Sequence, residues 1–304
     1  MSLSIKILGC GSALPTTLRN ATAQIIKHNE RPYLVDCAES TQVQMRKYSI
    51  KFAAINHIFI SHLHGDHFYG IFGLLSSFSL MGRTGEIYLH CPERLQQMLE
   101  SQYSPLDVNE LGFKLIFVPL IPNEVNLTYE NKNLEVYSVP LKHRIPTWGF
   151  IFKEKIKERN IIKEVIPKYN LSIAEIVKIK NGCDLMLENG TIIPNSELTT
   201  DPPHPKSYAF ITDTVKLNSV AEAVKGVDVL YHEATYDSSL TERAKETFHT
   251  TTIQAAEIAK TADVGKLIIG HFSSRYHSTE DLEKQAQTVF PNTVCAEDGM
   301  EINI

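Results

Sequence analysis

The order of apolar and polar residues over the first 150 positions predicts short β-strands separated by amphipathic helices. Helical spacing of apolar residues occurs at about 40–48, 69–81 and 94–101, and the second of these is apolar on most faces, which predicts a buried helix. The strand-like runs are SIKIL at 4–8, AQIIKH at 23–28, PYLVD at 32–36, HIFIS at 57–61, IYLHC at 87–91, KLIFVPL at 114–120, LEVYSVPL at 134–141 and GFIFK at 149–153.

The pattern changes between positions 153 and 198, where the chain becomes polar and rich in lysine. Pro167 is expected to end one short helix, and Ser172 with Glu175 forms the capping-box pattern that opens a second. Asn189-Gly190, within LENGTIIPNSEL, predicts a small hairpin. We interpret residues 153–198 as an insertion that projects from a single domain spanning residues 1–304.

Strand and helix signals resume after the insertion. They are SYAFITDT at 207–214, DVLYHEAT at 228–235, a helix at about 252–261, KLIIGHF at 266–272 and a helix at about 280–289. Alternation of strands and helices on both sides of an insertion predicts an α/β or mixed α+β layered fold.

Composition places the chain among globular proteins of the cytoplasm. It is 43% hydrophobic and 21% charged, which is enough to form a sizeable core. No apolar run approaches the roughly 18 residues of a membrane span, and the N-terminal stretch lacks the basic and long apolar regions of a signal peptide. The five cysteines contain no CxxC pair, which suits a reducing compartment better than a disulfide framework.

Charge is unevenly distributed along the chain. The net charge of −5 argues against a protein that coats nucleic acid indiscriminately. Residues 153–180, however, hold eight Lys or Arg against four Glu, so this segment is +4 and the remainder of the chain is −9. On charge alone the segment is either a solvated helical face or a patch for a polyanion.

The clearest chemical signal is ISHLHGDHFYG at 60–70, which follows the apolar run HIFI. In an extended loop His62 and His64 point to the same side, while Asp66 and His67 follow through Gly65, where the chain can reverse tightly. A packed core has no use for four such side chains, because each would need its own partner. We therefore predict a metal site at which one pair binds one ion and the next pair binds a second.

Three further candidate ligands stand at the ends of apolar runs, namely His143, Asp213 and His271. Loops at strand ends are where sites are commonly assembled, imidazoles suit zinc, and a carboxylate can bridge two cations. We predict two ions with Asp213 between them. The first would be held by His62, His64 and His143, and the second by Asp66, His67 and His271. Two metals about 3.5–4 Å apart are suited to hydrolysing a phosphate ester.

The leaving oxygen of such an ester needs an acid outside the metal shell. Glu233 follows the strand-like run VDVLY, and His249 precedes a helix. A Glu–His pair of this kind can hold a protonated imidazole against the leaving group. On its own, His249 could equally be an ordinary residue at the start of a helix.

With these residues assembled, the chain resembles the tRNase Z (ribonuclease Z) family of the metallo-β-lactamase superfamily over nearly its whole length. SHLHGDH alone indicates only the superfamily. The resemblance to the family is carried by LGCGSALPTTLRNATA at 8–23, LVDCAESTQVQM at 34–45, SHLHGDHFYGIFGLL at 61–75, LKHRIPTWGF at 141–150, AFITDT at 209–214, HEAT with FHTT at 232–251 and IIGHFSSRY at 268–276.

The resemblance implies an αββα sandwich with two zinc ions per subunit, usually in a homodimer. It implies removal of the 3′ trailer from precursor tRNA by an endonucleolytic cut that leaves a 3′-hydroxyl on the tRNA. By position, Asp66 would also accept a proton from the attacking water, and Glu233 with His249 would assist the leaving group. Residues 15–20 match a segment near the active site that influences which nucleotides are accepted after the discriminator nucleotide.

The same resemblance gives the insertion a role, since it occupies the position of the family's flexible exosite arm, which grips tRNA far from the cut. Lysine contacts to phosphate would orient the substrate without reading its bases. The insertion departs from bacterial members in lacking their Gly-Pro-rich motif and has IAEIVKIKNGCD at 173–184. This departure concerns the grip on tRNA and leaves the chemistry unchanged.

Three other functions stay open on the sequence. A zinc phosphodiesterase acting on small or cyclic diesters would use the same metal centre, but it would have no need of the arm. A non-catalytic RNA-binding protein is disfavoured, because every ligand position and both assisting residues are present. A thioester or lactone hydrolase would leave Glu233 and His249 without an obvious role.

Overall fold

In the computed structural model, which describes residues 3–103 and 111–304, two seven-stranded sheets form the framework of the chain. The first sheet has the order β18-β1-β2-β3-β4-β5-β6. Its strands are β1 Leu3–Gly9, β2 Ala23–His28, β3 Arg31–Val35, β4 His57–Phe59, β5 Ile87–Cys91, β6 Leu115–Pro119 and β18 Glu301–Asn303. Strands β3 to β6 run parallel, and β1, β2 and β3 pair antiparallel.

The second sheet has the order β17-β16-β15-β14-β9-β8-β7, and β14 to β17 run parallel. Its strands are β7 Asn126–Glu130, β8 Leu134–Leu141, β9 Thr147–Glu154, β14 Ser207–Ile211, β15 Val229–Glu233, β16 Lys266–Gly270 and β17 Thr293–Cys295. Strand β14 reads SYAFI and is buried along its whole length, as expected of a strand covered on both faces.

The two sheets pack face to face through aromatic side chains. Phe59 of β4 lies 5.4 Å, ring centre to ring centre, from both Phe150 and Phe152 of β9. Tyr208 of β14 donates a hydrogen bond to Gln24 of β2, so the buried hydroxyl has a partner in the opposite sheet. These contacts place one apolar core between the sheets.

Helices cover the outer face of each sheet. The first sheet carries α1 Thr41–Lys47, α2 Gly65–Phe68, α3 Gly70–Leu80 and α4 Glu93–Tyr103. Buried residues of α1, α3 and α4, such as Met45, Leu74 and Leu99, join the strand side chains in a second apolar core. The second sheet carries α8 Asn218–Ala223, α9 Thr241–Thr247, α10 Thr252–Thr261 and α11 Glu280–Gln287. The predicted αββα layering is therefore confirmed.

The chain divides into two compact units, and the smaller consists of Asn131–Leu134 and Glu154–Pro205. It contains α5 Val165–Lys168, α6 Ile173–Lys180 and α7 Asn195–Leu198, with the paired strands β10 Asn160–Ile161 and β13 Thr199–Thr200, and β11 Leu185–Met186 and β12 Ile192–Ile193. Its own apolar core comprises Val165, Leu171, Ile179, Leu185 and Leu198.

Two local predictions for this unit are confirmed and one needs correction. The capping box of Ser172 and Glu175 opens α6, and the Asn189-Gly190 turn joins the β11–β12 hairpin. Pro167 does not end α5, because Lys168 is also helical; the proline stands in the first turn, where its missing N–H costs little. The unit ends seven residues later than the predicted insertion of 153–198.

Within the part of the chain that the structure describes, no helix combines the length and the apolar character that crossing a bilayer requires.

Candidate metal centre

The predicted ligands come together at the carboxyl ends of strands from both sheets. His62, His64, Asp66 and His67 lie in the segment after β4, whereas the other three residues follow strands of the second sheet. Those are His143 after β8, Asp213 after β14 and His271 after β16. Neighbouring parallel strands end at one edge of a sheet, and this edge is where α/β proteins commonly build sites.

The nitrogen atoms of His62, His64 and His143 form a compact group, the three-histidine site. His64 Nδ1 lies 3.1 Å from His62 Nε2 and 3.1 Å from His143 Nε2. Asp213 Oδ2 lies 3.6 Å from each of the two Nε2 atoms. Ligands at about 2.0–2.1 Å from a tetrahedral zinc ion lie about 3.3–3.4 Å apart, so this spacing fits such an ion.

Asp66, His67 and His271 form a second group beside it, the mixed site. Their atoms are Asp66 Oδ2, His67 Nε2 and His271 Nε2, which are separated by 3.2 to 3.6 Å. Asp213 Oδ1 lies 3.3 Å from His67 Nε2 and 3.2 Å from His271 Nε2. The spacing again matches the edges of a small tetrahedron of metal ligands.

Asp213 therefore directs one carboxylate oxygen to each site. Its side chain is 3% exposed. Burial alone would raise the pKa of Asp213, but the imidazoles of His271, His67 and His62 hold it well below its usual value. A buried, ionised carboxylate shared by two sites is the donor that two neighbouring cations require.

The imidazoles of the mixed site are oriented by partners on their other ring nitrogens. His67 Nδ1 donates to Asp36 Oδ2 at 2.7 Å, and His271 Nδ1 lies 2.9 Å from Thr235 Oγ1. Asp36 is itself held by the backbone N–H and the hydroxyl of Ser61 at 2.7 and 2.8 Å. In the three-histidine site His143 Nδ1 donates to the carbonyl of Phe248 at 3.0 Å. Such bonds leave Nε2 free to bind a metal.

Asp36 was not among the predicted site residues, although a signal for it exists. It comes directly after β3, which is buried from Pro32 to Val35, and Asp213 comes two residues after the buried strand β14. The sequence places a carboxylate at this strand end but does not show that it faces an imidazole 31 positions away.

We expect Asp36→Asn to weaken metal binding at the mixed site by about 10–100-fold, because His67 loses a charged partner that fixes its tautomer. Asp36 reaches the three-histidine site only through Ser61, whose hydroxyl lies 2.8 Å from Asp36 Oδ2 and 3.0 Å from His62 Nδ1, so that site should lose less affinity. Competition titrations with a chelator, in which the number of ions bound per chain is measured, should show a lower affinity at the mixed site. Glu93→Gln, at an exposed carboxylate of α4 outside the cavity lining, is the control. Equal loss at both sites would contradict the assignment.

Glu233 and His249 form a hydrogen-bonded pair next to the two sites. Glu233 is fully buried, and its Oε1 accepts from His249 Nδ1 at 3.0 Å and from the backbone N–H groups of Thr214 and Thr250 at 3.1 and 3.0 Å. Its Oε2 accepts from the N–H and hydroxyl of Thr235 at 3.0 and 2.8 Å. The carboxylate is thus fixed, and it fixes the imidazole.

This pairing controls the charge of His249. Burial disfavours the protonated imidazole, but the Glu233 carboxylate outweighs this and raises the pKa of His249 to about 9. The His249 ring centre lies 5.0 Å from that of His143 and 5.4 Å from that of His271, and the side chain is 14% exposed. A protonated imidazole with access to solvent can therefore act as an acid beside the ligands.

One open cavity of about 650 Å³ lies over these groups. Its lining includes five of the predicted ligands, His249, and the guanidinium-bearing residues Arg144 and Arg243. Ala13, Leu14 and Pro15 form part of the wall, so the segment at 15–20, which the family resemblance placed near the site, begins at the cavity. The volume suits a nucleotide and its neighbouring phosphates.

Comparison with known proteins assigns the family. Residues 3–158 match the family model described as anti-Pycsar protein Apyc1, a stretch that includes the donors up to His143. Over 300 residues the chain is 44% identical to ribonuclease Z of Phocaeicola vulgatus, with 99% of this chain and 97% of that protein covered. The chain belongs to the ribonuclease Z family. The ligands of the three-histidine site and of the mixed site all lie within the region shared with the ribonuclease Z relative.

Solved structures agree with the ribonuclease Z assignment. The short form of human tRNase Z is 26% identical, with a TM-score of 0.72 and 99% of each chain covered. The metallo-β-lactamase fold protein YhfI of Bacillus subtilis is 16% identical, with a TM-score of 0.69 and both chains fully covered. The second likeness concerns the fold alone. The predicted family and the predicted metallo-β-lactamase fold are both confirmed.

Proposed function

We propose that this chain is an endoribonuclease that removes the 3′ trailer from precursor tRNA and uses two zinc ions per subunit. The observation that carries the proposal is the match to a ribonuclease Z over 99% of the chain, combined with seven clustered donors that divide around Asp213. Ribonuclease Z relatives support the substrate, and the nitrogen-rich ligand set supports zinc.

Each proposed ion has three donors of its own and one oxygen of Asp213. The three-histidine site would hold one ion and the mixed site the other. Two such ions, when bound, lower the pKa of a water molecule and neutralise charge on the attacked phosphate.

The protein's own groups manage the protons. Asp66 is proposed to accept the proton of the attacking water, and its Oδ2 is fixed by the N–H of Ala13 at 2.6 Å. As the oxygen of water bonds to phosphorus, the bond from phosphorus to the 3′ oxygen of the tRNA breaks. His249 donates its proton to that oxygen, so the tRNA keeps a 3′-hydroxyl and the trailer keeps the phosphate. Glu233 holds His249 protonated and oriented.

The deciding experiment is a cleavage assay on a 3′-extended precursor tRNA, run beside bis-p-nitrophenyl phosphate with zinc-replete and chelated enzyme. We expect one zinc-dependent cut next to the discriminator nucleotide. Precursors with and without an encoded CCA would show whether that sequence directs or blocks cleavage. Diester hydrolysis with untouched tRNA would instead identify a phosphodiesterase for small or cyclic diesters.

We propose that the smaller unit is an exosite arm for tRNA. Its positive charge is concentrated in residues 154–180, which hold seven Lys or Arg against four Glu. Residues 181–205 add four acidic residues and no basic one, so the unit, counted with Lys132, has no net charge. Two cations are also engaged within the unit, Lys180 with Glu158 at 2.8 Å and Arg159 with Asp201. Phosphate contacts would therefore depend on a few lysines in the first half of the unit, such as Lys157, Lys163 and Lys178.

Replacing residues 155–204 by a short Gly-Ser linker should abolish precursor tRNA processing and spare hydrolysis of bis-p-nitrophenyl phosphate. The unit has its own apolar core, so its removal leaves the ligand-bearing strands intact.

A triple variant, Lys157→Gln with Lys163→Gln and Lys178→Gln, should flatten the salt dependence of tRNA binding, because fewer counterions are released. Lys180→Gln, at an ion-paired lysine, is the control. Unchanged tRNA cleavage by the deletion variant would refute the exosite.

We further propose a homodimer in the cytoplasm. The family resemblance supports the dimer, and sedimentation velocity of the zinc-loaded protein would test it. The five cysteines are all free and four of them are buried, which suits a reducing compartment. If the arm of one subunit serves the site of the other, a mixed dimer of an arm-deleted chain and a His64→Ala chain would recover activity that neither parent has.

A further inference from the structure

Both ends of one loop meet at a single carboxylate, that of Asp298. We name residues 10–20 the entry loop, because its middle forms a wall of the cavity. At one end of the loop, Asp298 Oδ1 accepts from the N–H of Cys10 at 3.2 Å and lies 3.4 Å from its Sγ. At the other end, Asp298 Oδ2 accepts from the backbone N–H and the side-chain amide of Asn20, both at 2.8 Å. The carboxylate thus joins positions ten residues apart.

Asp298 is held in place by the turn that carries it, between β17 and β18. The N–H of Gly299 donates to the carbonyl of Ile7 at 2.7 Å, and the N–H of Ile7 donates to the carbonyl of Met300 at 3.0 Å. These bonds tie the turn to β1, the strand from which the entry loop departs. The carboxylate is therefore a fixed point relative to the start of the loop.

The entry loop is also closed by its own hydrogen bonds. The N–H of Gly11 donates to the carbonyl of Asn20 at 2.9 Å, and the N–H of Thr16 donates to the carbonyl of Arg19 at 2.9 Å. The guanidinium of Arg19 lies 5.8 Å from the ring centre of Phe272. Because these bonds join the two sides of the loop, we expect it to move as a unit when its ends are displaced.

The middle of the entry loop reaches the chemistry at Ala13. Its N–H donates to Asp66 Oδ2 at 2.6 Å, although its φ of 55° lies in the left-handed region that disfavours alanine. Such a conformation persists only where the surroundings fix it. The next residues, Leu14 and Pro15, line the cavity, and Leu14 is 67% exposed. The entry loop therefore provides both a hydrogen bond to Asp66 and part of the cavity wall.

We propose that Asp298 is a positioning residue for this site. By fixing both ends of the entry loop, it holds the Ala13 N–H on Asp66 and keeps Leu14 and Pro15 where they restrict the path of the substrate. The carboxylate does not touch the substrate itself. The proposal rests on the proposed function only for the choice of tRNA as the substrate.

Asp298→Ala should lower kcat by about 10²-fold, the scale of a misplacement of roughly 1 Å at a reacting centre. Metal content should stay at the wild-type value, because no predicted ligand contacts Asp298 among the described residues. The cuts on precursor tRNA should spread to neighbouring bonds, since the wall at Leu14 and Pro15 is no longer fixed. A role in folding alone would change neither the position of the cut nor kcat per folded, metal-loaded chain.

The test compares Asp298→Ala, Asn20→Ala and the double variant, using full-length zinc-loaded protein shown to be folded by circular dichroism. Glu297→Ala, at the exposed neighbouring carboxylate, is the matched control and should behave as wild type. The readouts are kcat, KM, ions per chain and the distribution of cuts. Asn20→Ala removes the side-chain bond to Asp298 and keeps the backbone one, so its loss should be smaller. Because Asp298→Ala already removes both bonds, the double variant should fall no further than Asp298→Ala.

Additive losses in the double variant would overturn the proposal, as would a wild-type kcat and a single cut in folded Asp298→Ala. If Asp298→Ala does not fold, Asn20→Ala carries the test, and wild-type kcat with an unchanged cut in that variant would overturn the proposal. Hydrolysis of bis-p-nitrophenyl phosphate distinguishes failure of this proposal from failure of the proposed function. If the wild-type protein hydrolyses this diester but leaves tRNA intact, the kcat of each variant can still be measured on the diester.

Discussion

Asp213→Ala should leave the protein with fewer than two metal ions per chain and lower kcat by at least about 10³-fold. The reason is that Asp213 is the one residue, in the part of the chain that the structure describes, whose two oxygens face both sites, at 3.2 to 3.6 Å from four imidazole nitrogens. Without its charge, two divalent ions would repel each other across a buried space with no shared anion between them.

Metal analysis after gel filtration, with kcat measured on the same sample, would check this result. Asp213→Asn keeps the shape of the side chain and removes the charge, so it should resemble Asp213→Ala in ions bound. Asp281→Ala, at an exposed carboxylate of α11, should retain both ions. Two tightly bound ions in Asp213→Ala would show that the carboxylate does not bridge the sites.

His249→Ala should lower kcat on precursor tRNA by roughly 10²–10⁴-fold, the contribution typical of a positioned general acid, without loss of metal. His249 is hydrogen-bonded to Glu233 at 3.0 Å, and its ring centre lies 5.0 and 5.4 Å from those of His143 and His271, one ligand of each site. Its donor atom also lies within 4.8 Å of those of Asp213 and His271, so the geometry allows a second role as a metal ligand. Metal content distinguishes the two roles, and loss of an ion would make His249 a ligand.

The leaving group offers an independent check on His249. The 3′ oxygen of a tRNA is a poor leaving group and needs a proton, whereas p-nitrophenolate departs readily without one. His249→Ala should therefore retain far more of its activity on bis-p-nitrophenyl phosphate than on tRNA. Equal losses on the two substrates would argue against proton donation.

Glu233→Gln should move the alkaline limit of kcat to lower pH. His249 donates only when protonated, so activity falls as the pH rises through the pKa of His249, which Glu233 helps to raise to about 9. Removing the carboxylate charge lowers that pKa, and the loss of activity then begins at lower pH. An unchanged alkaline limit in Glu233→Gln, measured on precursor tRNA, would contradict the pairing.

The sequence predicted the parts of this centre that are local. His62, His64, Asp66 and His67 are recognisable because their spacing lies within one short segment. His143, Asp213 and His271 could be proposed because each follows an apolar run that predicted a strand end, and the fold brings those ends together.

Contacts between distant positions could not be predicted in this way. The bond from Asp36 to His67 spans 31 positions, that from Ala13 to Asp66 spans 53, and those from Asp298 to Cys10 and Asn20 span 288 and 278. Each depends on the order of strands in the sheet and on the conformation of a turn. Neither can be predicted from the local pattern of apolar and polar residues. Strand β7 and helices α8 and α9 were also missed, since their short polar sequences resemble loops.

Because the ligands follow strands of both sheets, bound metal ions would also affect the stability of the protein in the absence of substrate. Residues 62–67 follow a strand of the first sheet, while His143, Asp213 and His271 follow strands of the second. Each ion would therefore act as a cross-link between the two layers of the sandwich. A ligand that binds only the folded state at 100 times its dissociation constant stabilises that state by about 2.7 kcal/mol. Zinc supply in the cell would then influence how long a newly made chain survives proteolysis, as well as how fast it works.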